Sequence, residues 1–284
     1  MNEMLIRQRV LLQVVKAAER PLSSEELVNW AYLLRDEPAI DRTSTFYDFF
    51  SNGRGPHSFT LAREIDQLVD AGHLSRSANH VDYLVDADEV IDLPRPLTQD
   101  LVAAVKRLRK ATPGEIEERV GERACASKSK HLARRDFPTG TIFTAGYEGL
   151  QVETFLDLLL GSGVERIVDV RRNPVARKFG FHKGTLKRLS ESVSIEYSHL
   201  PELGIASEDR RGLDQPSDYD RLFEKYRRET LIHQRPVVDR LGEILRQSRS
   251  VLVCYESKPC RCHRSHLAND ISQRFDLPIV DLEA

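Results

Sequence analysis

Tryptophan occurs once, methionine twice and cysteine only four times in this 284-residue chain. Its apolar stretches, such as the one around Phe155 to Leu160, are short. A membrane-spanning helix needs about 20 consecutive apolar residues, so the sequence predicts no membrane partner. Met1 is followed by Asn2, Glu3 and a helical pattern instead of a basic end and an apolar stretch, so the expectation is a cytoplasmic protein without a secretory leader. No Gly-x-Gly-x-x-Gly and no P-loop occurs, which argues against a dinucleotide dehydrogenase or an ATPase. There is no internal repeat and no low-complexity tract. Four cysteines, three of them crowded between 254 and 262, do not form a disulfide framework and read as reduced thiols with a chemical use. A large excess of positive charge is also missing. The net charge is −2, which excludes a uniformly basic nucleic-acid binder.

That near-neutral total is a cancellation. Residues 1–100 carry a net charge of −7, residues 101–140 carry +5, and residues 141–284 are neutral. The chain therefore divides into an acidic module (1–100), a basic helical linker (101–140) and an α/β domain (141–284).

In the acidic module Leu5, Val10, Leu11, Val14, Val15 and Ala18 recur at helical spacing. Ser23 followed by Glu26 is a capping box that starts a second helix. A third helix is predicted over Ser58 to Ala71, ended by Gly72, and His73–Arg76 with Val81–Val85 alternate like two short strands. Tyr47 to Ser58 reads as a loop from its turn residues. Helices followed by a small hairpin give a winged-helix-like α+β order. Its presumed recognition helix holds Arg63 but also Glu64, Asp66 and Asp70. DNA affinity is dominated by cation–phosphate contacts, so a protein partner suits this module better than DNA. The linker carries Lys106, Arg107, Arg109 and Lys110, then Arg134 and Arg135. These are the candidate nucleic-acid-binding residues, although charge runs are commonly solvated faces. Cys125 stands alone there.

From residue 141 short apolar strands alternate with helices: Thr141–Ala145, Arg166–Val170, Ser194–Ser198, Ser250–Cys254 and Pro278–Leu282. That alternation predicts a mainly parallel sheet with helices on both faces. Ligands of such sheets bind outside the carboxyl ends of the strands. That rim holds Tyr147 and Glu148, Asp169, Arg171 and Asn173, His199, and the stretch Cys254 to Arg264. Glu148, Asp169 and Glu256 are candidate acid–base groups, with Cys262 or His263 as nucleophile or proton shuttle. Arg171, Arg177 and Arg264 are candidate anion clamps, and Phe179 beside them offers a face for a base. Phe179 and Phe181 read equally well as core anchors beneath their loop. A helix beginning near Ser265 would draw anions and lower the pKa of Cys262.

The cysteines leave three readings open. Cys262 is an activated thiol, or Cys254, Cys260 and Cys262 with His263 or His266 hold a metal, or the thiols are small packing groups. The Cys-x5-Cys-x-Cys-His spacing lacks the two-residue interval of common structural zinc sites, so no metal ligands and no cofactor are assigned. Arg261 lies seven positions after Cys254, which is incompatible with a Cys-x5-Arg phosphatase loop.

Several motifs together resemble the bacterial family catalogued as domain of unknown function 488. They are Gly146-Tyr147-Glu148-Gly149, Asp169-Val170-Arg171 with Asn173-Pro174 and Arg177, Phe179-Gly180-Phe181, Tyr197 to Gly204, and Cys254-x-Glu256 followed by Cys262-His263-Arg264. The resemblance covers residues 141–284 and implies a compact α/β domain whose signature residues are the polar rim. It implies no particular reaction. The chain departs from the family pattern at Ala176, where the family commonly has Ser, and in the extra Cys260. The amino-terminal order resembles winged-helix-like accessory domains of bacterial defence and toxin–antitoxin proteins. The preferred expectation is an enzyme acting on a nucleotide or nucleic acid, hydrolysing a glycosidic or phosphate bond. The alternatives are a non-catalytic nucleic-acid-binding or regulatory protein and a metal or redox protein using Cys254, Cys260 and Cys262.

Overall fold

A computed structural model describes residues 4–41, 46–51, 55–76, 82–86, 90–130 and 137–283. They form two compact units, residues 1–130 and 131–284.

In the first unit, α1 (Ile6–Ala18) buries Val10, Leu11, Val14, Val15 and Ala18, the stripe expected from the sequence. A two-residue strand β1 (Leu22–Ser23) runs into α2 (Ser24–Leu34), started by the predicted capping box. The Ser23 hydroxyl accepts from the Glu26 amide at 3.1 Å while Glu26 accepts from the Ser23 amide at 3.1 Å. A short α3 (Pro38–Asp41) follows. The stretch expected as a loop holds a small antiparallel pair, β2 (Phe50–Ser51) with β3 (Pro56–His57). Helix α4 (Phe59–Asp70) is capped by Ser58. Strands β4 (Ser75–Arg76) and β5 (Asp82–Leu84) pair as predicted, and β5 also pairs with β1. Glu64 does not face solvent on the presumed reading helix. It is buried, accepts from Arg7 Nε at 3.0 and 3.1 Å and from the Tyr47 hydroxyl at 2.9 Å, and so is a core ion pair.

The basic linker is a correction. Residues 95–130 are two helices of this first unit, α5 (Arg95–Lys110) and α6 (Pro113–Lys130). Leu97, Leu101, Ala104, Val105 and Leu108 are buried on one side of α5, which packs on α1. The charges that suggested a linker are the outer face of an amphipathic helix.

The second unit is a five-stranded, all-parallel sheet made by β6 (Ile142–Gly146), β7 (Arg166–Asp169), β8 (Glu196–His199), β9 (Ser250–Cys254) and β10 (Ile279–Leu282). Its order is β10-β6-β9-β7-β8. Side chains of a strand alternate between faces, and register sorts them. Ile142, Val168 and Leu252 share one face with buried residues of the carboxyl-terminal half, including Leu241, Leu267 and Ile271. Phe143, Ile167 and Val251 occupy the other. The helices are α7 (Val152–Gly161), α8 (Lys183–Ser192), α9 (Pro216–Lys225), the brief α10 (Leu231–His233), α11 (Arg235–Gln247) and α12 (His263–Phe275). A π-helical turn at Tyr226–Thr230 joins α9 to α10. Pro236 starts α11 instead of breaking a longer helix, because the first helical turn needs no amide donor there. Strand β9, in the middle of the sheet, is buried along its whole length.

The sheet brings the end of β6 against the loop after β9. A Cβ on Gly146 would overlap the backbone carbonyl of Glu256, which is rigid main chain and cannot step aside cheaply. Gly146→Ala is therefore expected to lower unfolding free energy by about 1–3 kcal/mol, the usual cost of overpacking, measured by urea denaturation. An unchanged midpoint would show that the two segments are not in this contact.

Candidate functional site

Two polar clusters stand at the carboxyl ends of the strands. The first is buried and self-contained. Asp169, fully buried at the end of β7, accepts from Arg171 Nε at 2.8 Å and NH2 at 2.5 Å, from the Arg171 amide at 3.1 Å, and from the Tyr197 hydroxyl at 2.6 Å. The remaining Arg171 nitrogen donates to the Tyr147 hydroxyl at 2.7 Å and to the Phe181 carbonyl at 2.9 Å. The Tyr147 ring stacks on Phe181, centroids 4.1 Å apart. Burial pushes the Tyr147 phenol up. Burial and the neighbouring Asp169 do the same to Tyr197. Burial opposes the charge of Arg171, but Asp169 outweighs it and keeps the guanidinium above its ordinary value.

Asp169 and Arg171, expected as an acid–base group and an anion clamp, thus spend their hydrogen bonds on one another and on two tyrosines. Arg264 is likewise buried. It donates to the Thr144 hydroxyl at 3.1 Å, to the Glu256 carbonyl, and to the Ser257 carbonyl at 3.0 Å, so it holds the β9–α12 loop instead of presenting a cation. His199 donates from Nε2 to the Arg171 carbonyl at 2.9 Å and orients that loop. Phe181 is a core anchor. Asn173 and Arg177 are exposed and Phe179 is half-buried; none of them lines the cavity described below.

The second cluster gathers Cys254 at the end of β9, Glu256 two residues on, and Cys262 with His263 at the start of α12. The helix begins two residues earlier than the sequence suggested, which brings His263 into its first turn. His263 is fully buried and donates from Nε2 to the Val170 carbonyl at 3.0 Å. A carbonyl only accepts, so Nε2 carries a proton, and Nδ1 is the ring nitrogen that faces the thiols. Cys254 Sγ lies 3.6 Å and Cys262 Sγ 4.0 Å from Nδ1. Cys254 donates to Glu256 Oε2 at 3.1 Å. Arg210 donates to Glu256 Oε1 at 2.5 Å and approaches Nδ1 at 3.1 Å. The ring of Tyr226 packs edge-on against His263, centroids 5.5 Å apart.

The thiols divide unequally. Burial pushes Cys254 up, but Cys262, His263 and Arg210 overcome it and hold this thiol well below its ordinary value. Burial and Cys254 push Cys262 well up. The surroundings thus pull Cys254 toward the thiolate, whereas the activated-thiol reading had placed that effect at Cys262. Ligand atoms of Cys254, Glu256, Cys262 and His263 all lie within 4.8 Å of one another. The metal-ligand alternative drawn from spacing changes its members. Cys260 is exposed, and His266 accepts from Arg227 at 3.1 Å and packs on Phe223. Glu256 takes a place in the cluster instead.

A cavity of about 480 Å³ opens over this cluster, with Glu148, Glu256 and His263 in its lining. Arg210, Lys258 and Arg261 add three cations, and Tyr219, Phe223 and Tyr255 add three rings. Glu148, exposed after β6, accepts from the Ser257 amide at 3.1 Å and hydroxyl at 3.2 Å. Arg210, Tyr219 and Phe223 escaped the sequence reading. They come from an irregular turn, Glu208–Arg210, and from α9, remote from every strand end. No spacing signals them. Tyr255, Lys258 and Arg261 lay inside the recognised strand-to-helix stretch and differ from its buried members only by exposure.

Of the residues expected to touch nucleic acid, Arg107 pairs with Glu37 at 2.9 Å and Arg109 with Glu19 at 2.6 Å, within the first unit, while Lys106 and Lys110 are exposed. Arg134 and Arg135 lie outside the described residues, as does the side chain of Cys125. No helix among the described residues is long and apolar enough to cross a membrane.

A family model described as Domain of unknown function DUF488 matches residues 151–271. The match takes in Asp169, Arg171, Glu256, Cys262, His263 and Arg264 and begins just after Tyr147 and Glu148. No curated protein and no solved structure matches the chain.

Arg171→Met leaves a buried carboxylate without its partner, which costs about 3–5 kcal/mol; Tyr197→Phe, losing one hydrogen bond to it, costs about 1–2 kcal/mol. Urea unfolding of both variants checks the ranking, and equal or negligible losses would contradict the pairing.

Proposed function

We propose, for a chain whose α/β unit belongs to the DUF488 family, that this unit is a hydrolase acting on a phosphate or glycosidic bond of a nucleotide or nucleic acid. One observation carries the reading: a single cavity collects three cations, three aromatic rings and two carboxylates above a buried Cys–His cluster. Bases stack on exposed rings, and phosphates are held by Lys and Arg. In this reading Tyr255 and Tyr219 flank the base, and Lys258 and Arg261 hold the phosphate. Charge developing on the leaving oxygen would be met by the same cations.

Glu148 is the carboxylate suited to take a proton from an attacking water, since it reaches solvent and Ser257 orients it by two hydrogen bonds. Water would add to the phosphorus or anomeric carbon, the bond to the leaving oxygen or base would break, and the departing group would take up a proton. Glu256 serves the floor of the cavity, with its two oxygens held by Arg210 and Cys254. Asp169 has no part in the transfer. A non-catalytic regulatory protein would use the same cavity and differ only in releasing its ligand unchanged.

A panel of nucleoside phosphates and short oligonucleotides, followed by calorimetry and product chromatography, tests the reading. Lys258→Ala and Arg261→Ala should each weaken binding about tenfold, equivalent to about 1.4 kcal/mol, and Glu148→Gln should lower turnover at least about 100-fold with binding retained. Binding without product would favour the regulatory protein. Absence of binding across the panel would overturn the reading.

A further inference from the structure

The structure assigns a metal site to Cys254, Cys262, His263 and Glu256, and the chemistry of the donors points to a zinc-class divalent ion. The proposal is independent of the hydrolase reading, since it concerns only what the chain itself can hold.

The donor set comes first. Two thiols, an imidazole and a carboxylate are the ligand types that zinc takes, and four is its usual number in a protein site. Their ligand atoms lie within 4.8 Å of one another. Bond lengths of about 2.0–2.3 Å around a tetrahedral ion place neighbouring ligands about 3.3–3.8 Å apart, so the most separated of these atoms would close by about 1 Å on binding. The 3.6 Å from His263 Nδ1 to Cys254 Sγ fits that tetrahedron, and the 4.0 Å to Cys262 Sγ is a few tenths of an ångström longer.

The supporting shell is a second, separate observation. Metal-binding histidines commonly donate their other ring nitrogen to a carbonyl or carboxylate, which fixes tautomer and ring orientation. His263 Nε2 does so to the Val170 carbonyl at 3.0 Å, which turns Nδ1 toward the two sulfurs. Arg264 pins the Glu256 and Ser257 carbonyls, and so fixes the loop that carries one ligand. The thiols themselves are almost fully buried, at 1 % exposure each. That burial suits ligands better than nucleophiles, which need access to substrate.

Arg210 supplies the third observation. Its guanidinium bridges the Glu256 carboxylate and Nδ1 of His263, which is where a cation would be drawn. It reaches there from a partly exposed turn, so it can leave without disturbing the core. The motif also explains why sequence spacing misled. With Cys-x5-Cys-x-Cys-His the two cysteine ligands are eight positions apart, and the exposed Cys260 between them is a bystander.

The test is Co²⁺ titration of the full chain, stripped with chelator and kept reduced. One Co²⁺ per chain should bind with thiolate-to-metal charge-transfer bands and tetrahedral visible bands, and Zn²⁺ should displace it. Cys254→Ser and Cys262→Ser should each weaken binding by more than the roughly 10–100-fold that loss of a supporting residue costs. Cys260→Ser should bind as the parent does, and Arg210→Ala should bind at least as tightly. Because either ligand variant could fail to fold, thermal unfolding of the unaltered chain is the companion measurement: Zn²⁺ should raise the midpoint and chelator should reverse it, since a ligand of the folded state stabilises by mass action. A chain showing neither the thiolate bands nor the shift, or one whose bands survive the Cys254→Ser/Cys262→Ser double substitution, would overturn the assignment. Metal binding without nucleotide binding would leave this site standing and remove only the hydrolase reading.

Discussion

The buried pair between Asp169 and Arg171 is the constraint on which the rim of the α/β unit depends. A carboxylate and a guanidinium out of water are costly unless geometry and further hydrogen bonds compensate. Here Tyr197 on β8 completes the carboxylate, while Tyr147 after β6 and the Phe181 carbonyl complete the guanidinium. Four segments are therefore tied to one point. The turn after β7 takes its shape from this network, and that turn presents the Val170 carbonyl that orients His263. A buried charged cluster thus helps decide where the His263 ring points.

Close backbone approach does the rest. Gly146 lets the end of β6 lie against the Glu256 carbonyl, and Arg264 reaches the same carbonyl from α12. The loop after β9 is held from two sides, so Cys254 and Glu256 face Cys262 and His263 across a fixed gap. The cavity above is of another kind. Tyr255, Lys258 and Arg261 in its lining are exposed, whereas Phe223 is buried.

Much of this was legible in the residues. The five strands, their parallel character and the gathering of polar groups at their carboxyl ends follow from alternation of apolar runs and helices. The residues singled out at that rim do stand there. Their roles were less legible. Asp169, Arg171 and Arg264 look like acid and anion clamps in a line of letters, because sequence records charge but not burial or partners. Glu64 looked like a surface acid for the same reason. The run Lys106–Lys110 looked like a linker because a charged outer face hides the apolar stripe of Leu101, Val105 and Leu108.

By itself the sequence determined the α/β class, the strand ends where polar groups gather and the near-neutral net charge, since these depend on local periodicity and composition. The tertiary structure decided which polar groups neutralise one another, which cysteines meet a histidine, and that Arg210 reaches them from 46 residues before Glu256. Such pairings follow from the strand order β10-β6-β9-β7-β8, in which β7 and β8 alone are neighbours both in the chain and in space. Nearest-neighbour spacing in the chain contains no record of that permutation.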